Sequence, residues 1–440
     1  MPTPVDTLIE ARWLLPMTPR RRLLEDHAVA IRAGRIVGLA PIAEARTRWQ
    51  ASDVVRLPHH ALLPGLVNAH THVAMNLFRG MADDLPLMDW LQGHIWPAEQ
   101  RWVDPDFVRA GTRLACAEMI RGGTTCFNDM YFFPAETAET AVAMGLRASI
   151  GHVIIDFPTR YAQNAEEYLA KAEALQLRFS DMARVHGMLA PHAPYTVGDA
   201  TLERVMALAA RLDLPIHMHI HETAAEVTQS VEQHGLRPLA RLEQLGFLSP
   251  RLLAVHMTQL DEVEIALCAA RGVKVAHCPQ SNLKLASGLA PVHRLLQAGV
   301  TVALGTDGAA SNNDLDLLNE LQTAALLAKA VAGAATALPA WDALEMATLN
   351  GARALGLERE IGSLEPGKAA DCIAVDMDHP ATQPLYSVAS QLAYAAGRDQ
   401  VSDVWVAGRR LLAGGAFTRL DWPALRAEAE QWRQRIDQNR

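Results

Sequence analysis

The hydrophobic residues of this chain follow two rhythms. From about residue 61, short apolar runs alternate with longer stretches that are apolar at helical spacing. Eight such runs stand out: "ALLPGLVNAHTH", "TTCFNDM", "LRASIGHVII", "RVHGMLAPHAP", "LPIHMHIHE", "RLLAVHMTQL", "VKVAHCPQSN" and "TVALGTDGAA". Between them lie segments such as "FVRAGTRLACAEMIRGG", "AAEVTQSVEQHG" and "LDEVEIALCAARG". Their apolar positions recur with the helical period, and glycine stops them. A strand followed by a helix, eight times over about 300 residues, predicts a parallel (β/α)8 barrel of the TIM type. An open doubly wound sheet is the alternative, but no G-x-G-x-x-G follows a first strand. The two ends differ from the middle. "DTLIEARWLLPM", "HAVAIRAGRIVGLA" and "ASDVVRL" near the start, and "AADCIAVDMD" and "VSDVWVAGRRLLAGG" near the end, read as short strands broken by turns. They predict a small β-sandwich domain built from both termini. The expected organisation is residues 1–60 in that domain, 61–366 in the barrel, and 367–440 back in the β-sandwich domain with a terminal helix.

Charge and cysteine content narrow the class. A net charge of -9 with no basic cluster beyond Arg20 to Arg22 argues against nucleic acid as a partner. The five cysteines, Cys116, Cys126, Cys268, Cys278 and Cys372, are scattered without CxxC spacing. Neither a disulfide framework nor a structural zinc cluster is expected, and a reducing cytoplasm is the simplest setting. No signal peptide and no membrane span is expected from the apolar pattern.

The chemistry gathers at strand ends. Barrel active sites lie at the C-terminal ends of the strands. Here run one ends in His70 and His72, run four in His192, and run five in His219, His221 and Glu222. Runs six, seven and eight carry His256, His277 and Asp307 near their ends. Two histidines at i, i+2 on a strand point the same way. With a third imidazole from run five and Asp307 from run eight, they suit one Zn²⁺ or Fe²⁺ ion with room for a water. Runs three and four contain no lysine to bridge a second ion, so one metal is expected.

These residues are similar to the amidohydrolase superfamily, and within it to the 5-methylthioadenosine/S-adenosylhomocysteine deaminase family, a relative of triazine hydrolases and 8-oxoguanine deaminases. "PGLVNAHTH", "RGGTTCFNDM", "WLQGHIWPAE", "APHAPYT", "HMHIHET", "HCPQSNLKLASG", "LGTDGAASNNDLDLLNE" and "IGSLEPGKAADCIAVD" carry the resemblance over nearly the whole chain. It implies His70, His72, His219 and Asp307 as metal ligands, with zinc first and Fe²⁺ or Mn²⁺ as alternatives. It implies Glu222 as the acid/base residue, with His256 and Asp307 beside the attacking water. Glu99 would hold the ribose hydroxyls and His192 the purine, while Arg147 and Arg160 are candidates for a homocysteine carboxylate. The implied reaction is hydrolytic deamination at C6 of an adenine nucleoside, methylthioadenosine, adenosylhomocysteine or adenosine. A small nucleoside is then the partner, with a homo-oligomer as the assembly. Two other readings stay open: a same-barrel hydrolase of 8-oxoguanine, guanine, cytosine or a chlorotriazine, and a metal-binding protein without catalysis.

Other residues read more simply. His277 and Cys278 are expected to shape a loop or line the pocket, and His59, His60, His94 and His234 to be ordinary polar positions. Met75, Met81, Met88, Trp90 and Trp96 are expected to pack over the barrel mouth, as a lid suited to an apolar 5′-thioether. In "IHMHIHET", His217 is expected deep in the barrel, His219 at the metal, and His221 further out on the same face, lining the pocket or supporting the ligands. Glu222 has the wrong strand parity for the site. The chain must therefore bend at about residues 220–222 to bring it in.

Overall fold

In the computed structural model, which describes residues 1–438, the strands form two eight-stranded sheets. The barrel sheet is β5 (Leu66–Thr71), β6 (Thr124–Tyr131), β7 (Arg147–Ile154), β8 (Val185–Pro191), β9 (Ile216–Ile220), β10 (Leu252–His256), β11 (Lys274–His277) and β12 (Val302–Leu304). They pair in chain order, and every pairing is parallel. Nearly every residue of these strands is buried, because the barrel interior covers one face and the helices the other. Beyond β12, the Asp307 N–H donates to the His70 carbonyl at 3.1 Å and the Asn68 amide to Thr306 Oγ1 at 2.7 Å. These bonds bring the last strand against the first.

The second sheet joins the two ends of the chain. It contains β1 (Thr3–Leu14), β2 (Leu24–Arg32), β3 (Arg35–Pro41) and β4 (Trp49–Pro64) from the start, and β13 (Cys372–Asp376), β14 (Val401–Val406), β15 (Arg409–Ala413) and β16 (Ala416–Phe417) from the end. β13 pairs antiparallel with β4, Ile373 opposite Leu63, and so ties the late segment to the early one. Only Gly65 separates β4 from β5. A side chain there would drive a Cβ to within 2.0 Å of Thr125 Oγ1, so glycine is required for the sheet to run into the barrel.

The long connection after β5 folds over the barrel mouth. It forms short helical turns at Leu87–Trp90, Leu91–Ile95 and Trp96–Trp102. Met75, Trp90, Leu91 and Ile95 are buried in one apolar cluster, with Met81, Met88 and Trp96 packed against it. The terminal helix Trp422–Asp437 joins the same cluster. Its Trp432 meets Phe107 edge to face, ring centroids 5.4 Å apart. Among the described residues, no helix is long and apolar enough to cross a membrane.

Candidate metal centre and active site

The strand ends deliver four acceptor atoms to one point. His70 Nε2 and His72 Nε2 each lie 3.2 Å from Asp307 Oδ1, and His219 Nε2 lies 3.3 Å from His70 Nε2. Ligand atoms 2.0–2.1 Å from a tetrahedral ion stand about 3.3 Å from one another, so these three contacts have the spacing of neighbouring ligands. His70, His72 and His219 offer atoms within 4.8 Å of one another, and so do His70, His256 and Asp307.

The outward-facing atoms settle what the rings can do. His72 Nδ1 donates to the Met130 carbonyl at 2.6 Å, and His219 Nδ1 donates to the His192 carbonyl at 2.8 Å. A carbonyl only accepts, so those nitrogens carry the protons and both Nε2 lone pairs face inward. His70 Nδ1 lies 3.0 Å from His217 Nε2, which puts His217 beneath the cluster in the barrel interior. Asp307 is oriented through both oxygens. Ser281 and Ser311 donate to its Oδ2 at 2.6 and 2.8 Å, and the Gly308 N–H donates to Oδ1 at 2.8 Å.

The electrostatics call for a cation. Burial opposes ionisation of Asp307, yet His70 and His72 outweigh it and hold the carboxyl well below the usual range. Burial also opposes charge on His72, but Asp307 overrides it and pushes that ring up to about 9. Burial keeps His70 neutral, lowered to about 4, and holds His219 well below its ordinary value. Asp307 thus draws a proton onto His72, while His70 and His219 stay neutral. A buried anion among three imidazoles fits a divalent metal ion, which would take the place of that proton.

Around this point lies a cavity of about 550 Å³. His72, His219, Asp307, Glu222, His256, His192, Glu99 and Arg160 all contribute to its wall. Glu222 Oε2 lies 3.8 Å from His256 Nε2. Burial raises the Glu222 carboxyl above its ordinary value. His256 Nδ1 donates to Asn282 Oδ1 at 2.8 Å, leaving its Nε2 lone pair toward the cavity. Burial drives His192 down to about 3, and burial pushes half-buried Glu99 up to about 7. Arg160 sits on the exposed rim and donates to the Arg101 carbonyl at 2.9 Å.

Strained backbone marks the same strand ends. His221, His256, Met257 and Asp307 take φ of 54°, 73°, 52° and 62°. Four non-glycine residues in the left-handed region around one cavity fit the tendency of strain to gather at functional sites. The bend that Glu222 requires is one of them: β9 stops at Ile220 and the chain turns at His221.

Three expectations are corrected. Arg147 is the first residue of β7, at the floor of the barrel, and its Nε donates to Asp371 Oδ2 at 3.0 Å. It is far from a substrate tail because barrel polarity puts strand starts opposite the mouth. His221 does not share the face of His219. Its left-handed turn rotates the ring outward, where Nε2 accepts from the Leu239 N–H at 3.1 Å and Nδ1 donates to the Gln259 carbonyl at 3.2 Å. His277 is buried behind the cavity wall, so of the two roles expected for it, lining the pocket is overturned and shaping the loop stands.

Sequence reasoning missed Asn282, Ser281, Ser311 and Glu226. The last had a readable signal, since "TAAE" at 223–226 is a helix-start pattern.

The amidohydrolase family model matches residues 61–411. A 5-methylthioadenosine/S-adenosylhomocysteine deaminase of Saccharophagus degradans is 47% identical over 438 residues, spanning 100% of this chain and 98% of that protein. The solved structure of an adenosine deaminase from Xanthomonas campestris with bound zinc is 56% identical, covers 100% of both chains and superposes with a TM-score of 0.98. A zinc-complexed atrazine chlorohydrolase from Arthrobacter aurescens is 25% identical, with 97% of this chain and 99% of that one covered and a TM-score of 0.91. The chain belongs to the amidohydrolase family, in the branch whose curated members are named 5-methylthioadenosine/S-adenosylhomocysteine deaminases.

Proposed function

We propose that this protein is a zinc-dependent deaminase of adenine nucleosides, converting 5′-methylthioadenosine, S-adenosylhomocysteine or adenosine into the inosine analogue and ammonia. The names of the similar proteins supply the substrate class, and two similar structures supply the choice of zinc. The observation that carries the reading is the position of Glu222, a buried carboxyl facing His256 on the wall of the cavity that holds the four converging donors. Glu222 belongs to neither set of converging ligand atoms, so its presence favours chemistry over storage.

His70, His72, His219 and Asp307 would hold the ion. Bound there, it supplies a Lewis acid that lowers the pKa of a water toward neutrality. The protein's own groups move the protons. Glu222, whose hold on a proton is strengthened by burial, donates to ring N1 and makes C6 more electrophilic. His256 accepts a hydrogen bond from the attacking water through its free Nε2 lone pair. Asp307 takes one proton from the water as the C6–O bond forms and passes it to the amino group, which leaves as ammonia when the C6–N bond breaks. The water's second proton, released as the C6 carbonyl forms, returns to Glu222. Glu99 accepts from the ribose hydroxyls, and His192 contacts the purine. Arg160 is the arginine on the cavity wall, at the open end where a homocysteine carboxylate would emerge. The apolar lining from Trp90, Trp96 and Phe157 suits a thioether substituent. The five buried, unpaired cysteines support a reducing, cytoplasmic setting.

The test is ammonia release from 5′-methylthioadenosine, adenosine and S-adenosylhomocysteine, before and after chelation. Release by the zinc-loaded protein that stops with chelator and returns with zinc is the expected result. A protein carrying one zinc per chain that releases no ammonia from either nucleoside or from S-adenosylhomocysteine overturns the reading.

A further inference from the structure

Glu222 stands where an ordinary strand would not put it. β9 aims His219 at the donor cluster, and alternation would send residue 222 to the opposite face. His221 breaks the alternation with φ 54°, a conformation a non-glycine residue keeps only when its surroundings hold it.

Glu226 is part of those surroundings. Its Oε1 accepts the His221 N–H at 3.0 Å, and its Oε2 accepts the Glu222 N–H at 2.7 Å. It lies in the first turn of the helix Ala224–His234, whose N-cap Thr223 accepts the Glu226 N–H through Oγ1 at 3.1 Å. In an ordinary capping box the third helical residue reaches back to the N–H of the N-cap itself. Here the carboxylate reaches past Thr223 to the two N–H groups of the turn. Thr258 holds the other side: its N–H donates to the His221 carbonyl at 3.0 Å and its Oγ1 to the Glu222 carbonyl at 2.7 Å. All four backbone polar groups of residues 221 and 222 are thereby tied down. Glu226 is itself buried and does not line the main cavity, so its carboxylate does not meet the substrate.

We propose that Glu226 is the positioning residue for Glu222: its two side-chain oxygens bridge the two N–H groups of the left-handed turn and aim the Glu222 carboxyl into the cavity. The inference rests on the proton-donating role given to Glu222 above.

Ammonia release by the zinc-loaded protein tests it with four chains: the parent, Glu226→Gln, Glu222→Gln and the double variant. Glutamine keeps the size and one acceptor, but its NH2 group confronts the second N–H. Glu226→Gln is expected to lower kcat about 10- to 100-fold, with KM and zinc content held. In the Glu222→Gln background it is expected to cost nothing further, because the group it positions is gone. An equal loss in both backgrounds, a parallel loss of zinc, or a parental kcat for Glu226→Gln overturns the inference. Full activity of Glu222→Gln alone overturns the reading of Glu222, and this inference with it. Should Glu226→Gln fail to fold, Glu226→Asp, too short to span both N–H groups, is read by the same criteria.

Discussion

The barrel buries polar groups at both ends, in opposite ways. At the floor, the Arg147 guanidinium meets the Asp371 carboxylate at 3.0 Å, and Asp371 Oδ1 also accepts the Ala407 N–H at 2.7 Å. Donors there meet acceptors. Burial opposes the charge on Arg147, but Asp371 overrides it and keeps the guanidinium protonated. At the mouth, His72 and His219 turn their Nδ1 protons outward to carbonyls, and their Nε2 atoms crowd together with His70 Nε2 and a carboxylate oxygen. Burial alone therefore does not distinguish a site from a structural joint. The mismatch does: the floor is complete in itself, whereas the mouth needs a cation and a substrate.

The largest effect that could break this contrast comes at Asp307. Asp307→Asn keeps the shape but replaces the anion with an amide. Zinc content is expected to fall well below one per chain. The loss of ammonia release is expected to exceed the roughly 10²- to 10⁴-fold that a missing acid–base group costs. A variant that kept both zinc and turnover would mean that the mouth is not a metal site. The floor should respond in the other currency. Arg147→Met leaves Asp371 buried without its partner and is expected to cost about 3–5 kcal/mol in urea unfolding, with KM for every nucleoside unchanged. Adding Asp371→Leu should recover much of that loss, though not the bond to Ala407. A raised KM for S-adenosylhomocysteine at unchanged stability would return Arg147 to the substrate and erase the distinction.

How much of this was readable depends on whether the cause was local. The barrel was legible because each strand is short, apolar and followed by a helical pattern. That histidines and Asp307 gather at the mouth was legible because such strands end in them, but the choice of His219 among the three histidines of "HMHIHET" came from the family resemblance. Arg147 misled because its chemistry was read before its place: the first residue of a barrel strand lies at the floor. Its partner is 224 residues away and leaves no local trace. The bend before Glu222 was legible as a requirement but not as a mechanism. Nothing in "HIHET" announces a left-handed His221; the groups that hold it are Glu226 and Thr258. Ser281, Ser311 and Asn282 were visible as letters but read equally well as turn residues. The methionines and tryptophans of the lid could be seen, whereas the arrival of Trp432 from the far terminus could not.

The smallest expected effect sits between the two ends and tests whether buried histidines outside the mouth behave as structure. His152 on β7 stacks on Phe179, ring centroids 5.2 Å apart, and its Nε2–H donates to Gln176 Oε1 at 3.3 Å. Its Nδ1 has no partner. Burial lowers its pKa to about 4, against about 6.5 in the unfolded chain. Between those values the unfolded chain binds a proton that the folded chain refuses, so acidification favours unfolding. The stability at stake is intact above pH about 6.5 and is lost progressively down to about 4. A shift of this size amounts to about 3 kcal/mol at most. His152→Gln keeps a donor for Gln176 and cannot titrate. Protonation of the imidazoles at the mouth also weakens the protein in acid, through metal release, but that contribution is common to parent and variant. The difference between their urea midpoints, followed from pH 7 to pH 4.5, isolates the single ring. A shallower decline in the variant would mark His152 as a neutral structural histidine, satisfied in neither of the ways the two barrel ends use. Parallel declines would mean that its ring takes up a proton in the folded state, and that the mouth is not the only place where this barrel holds histidine charge.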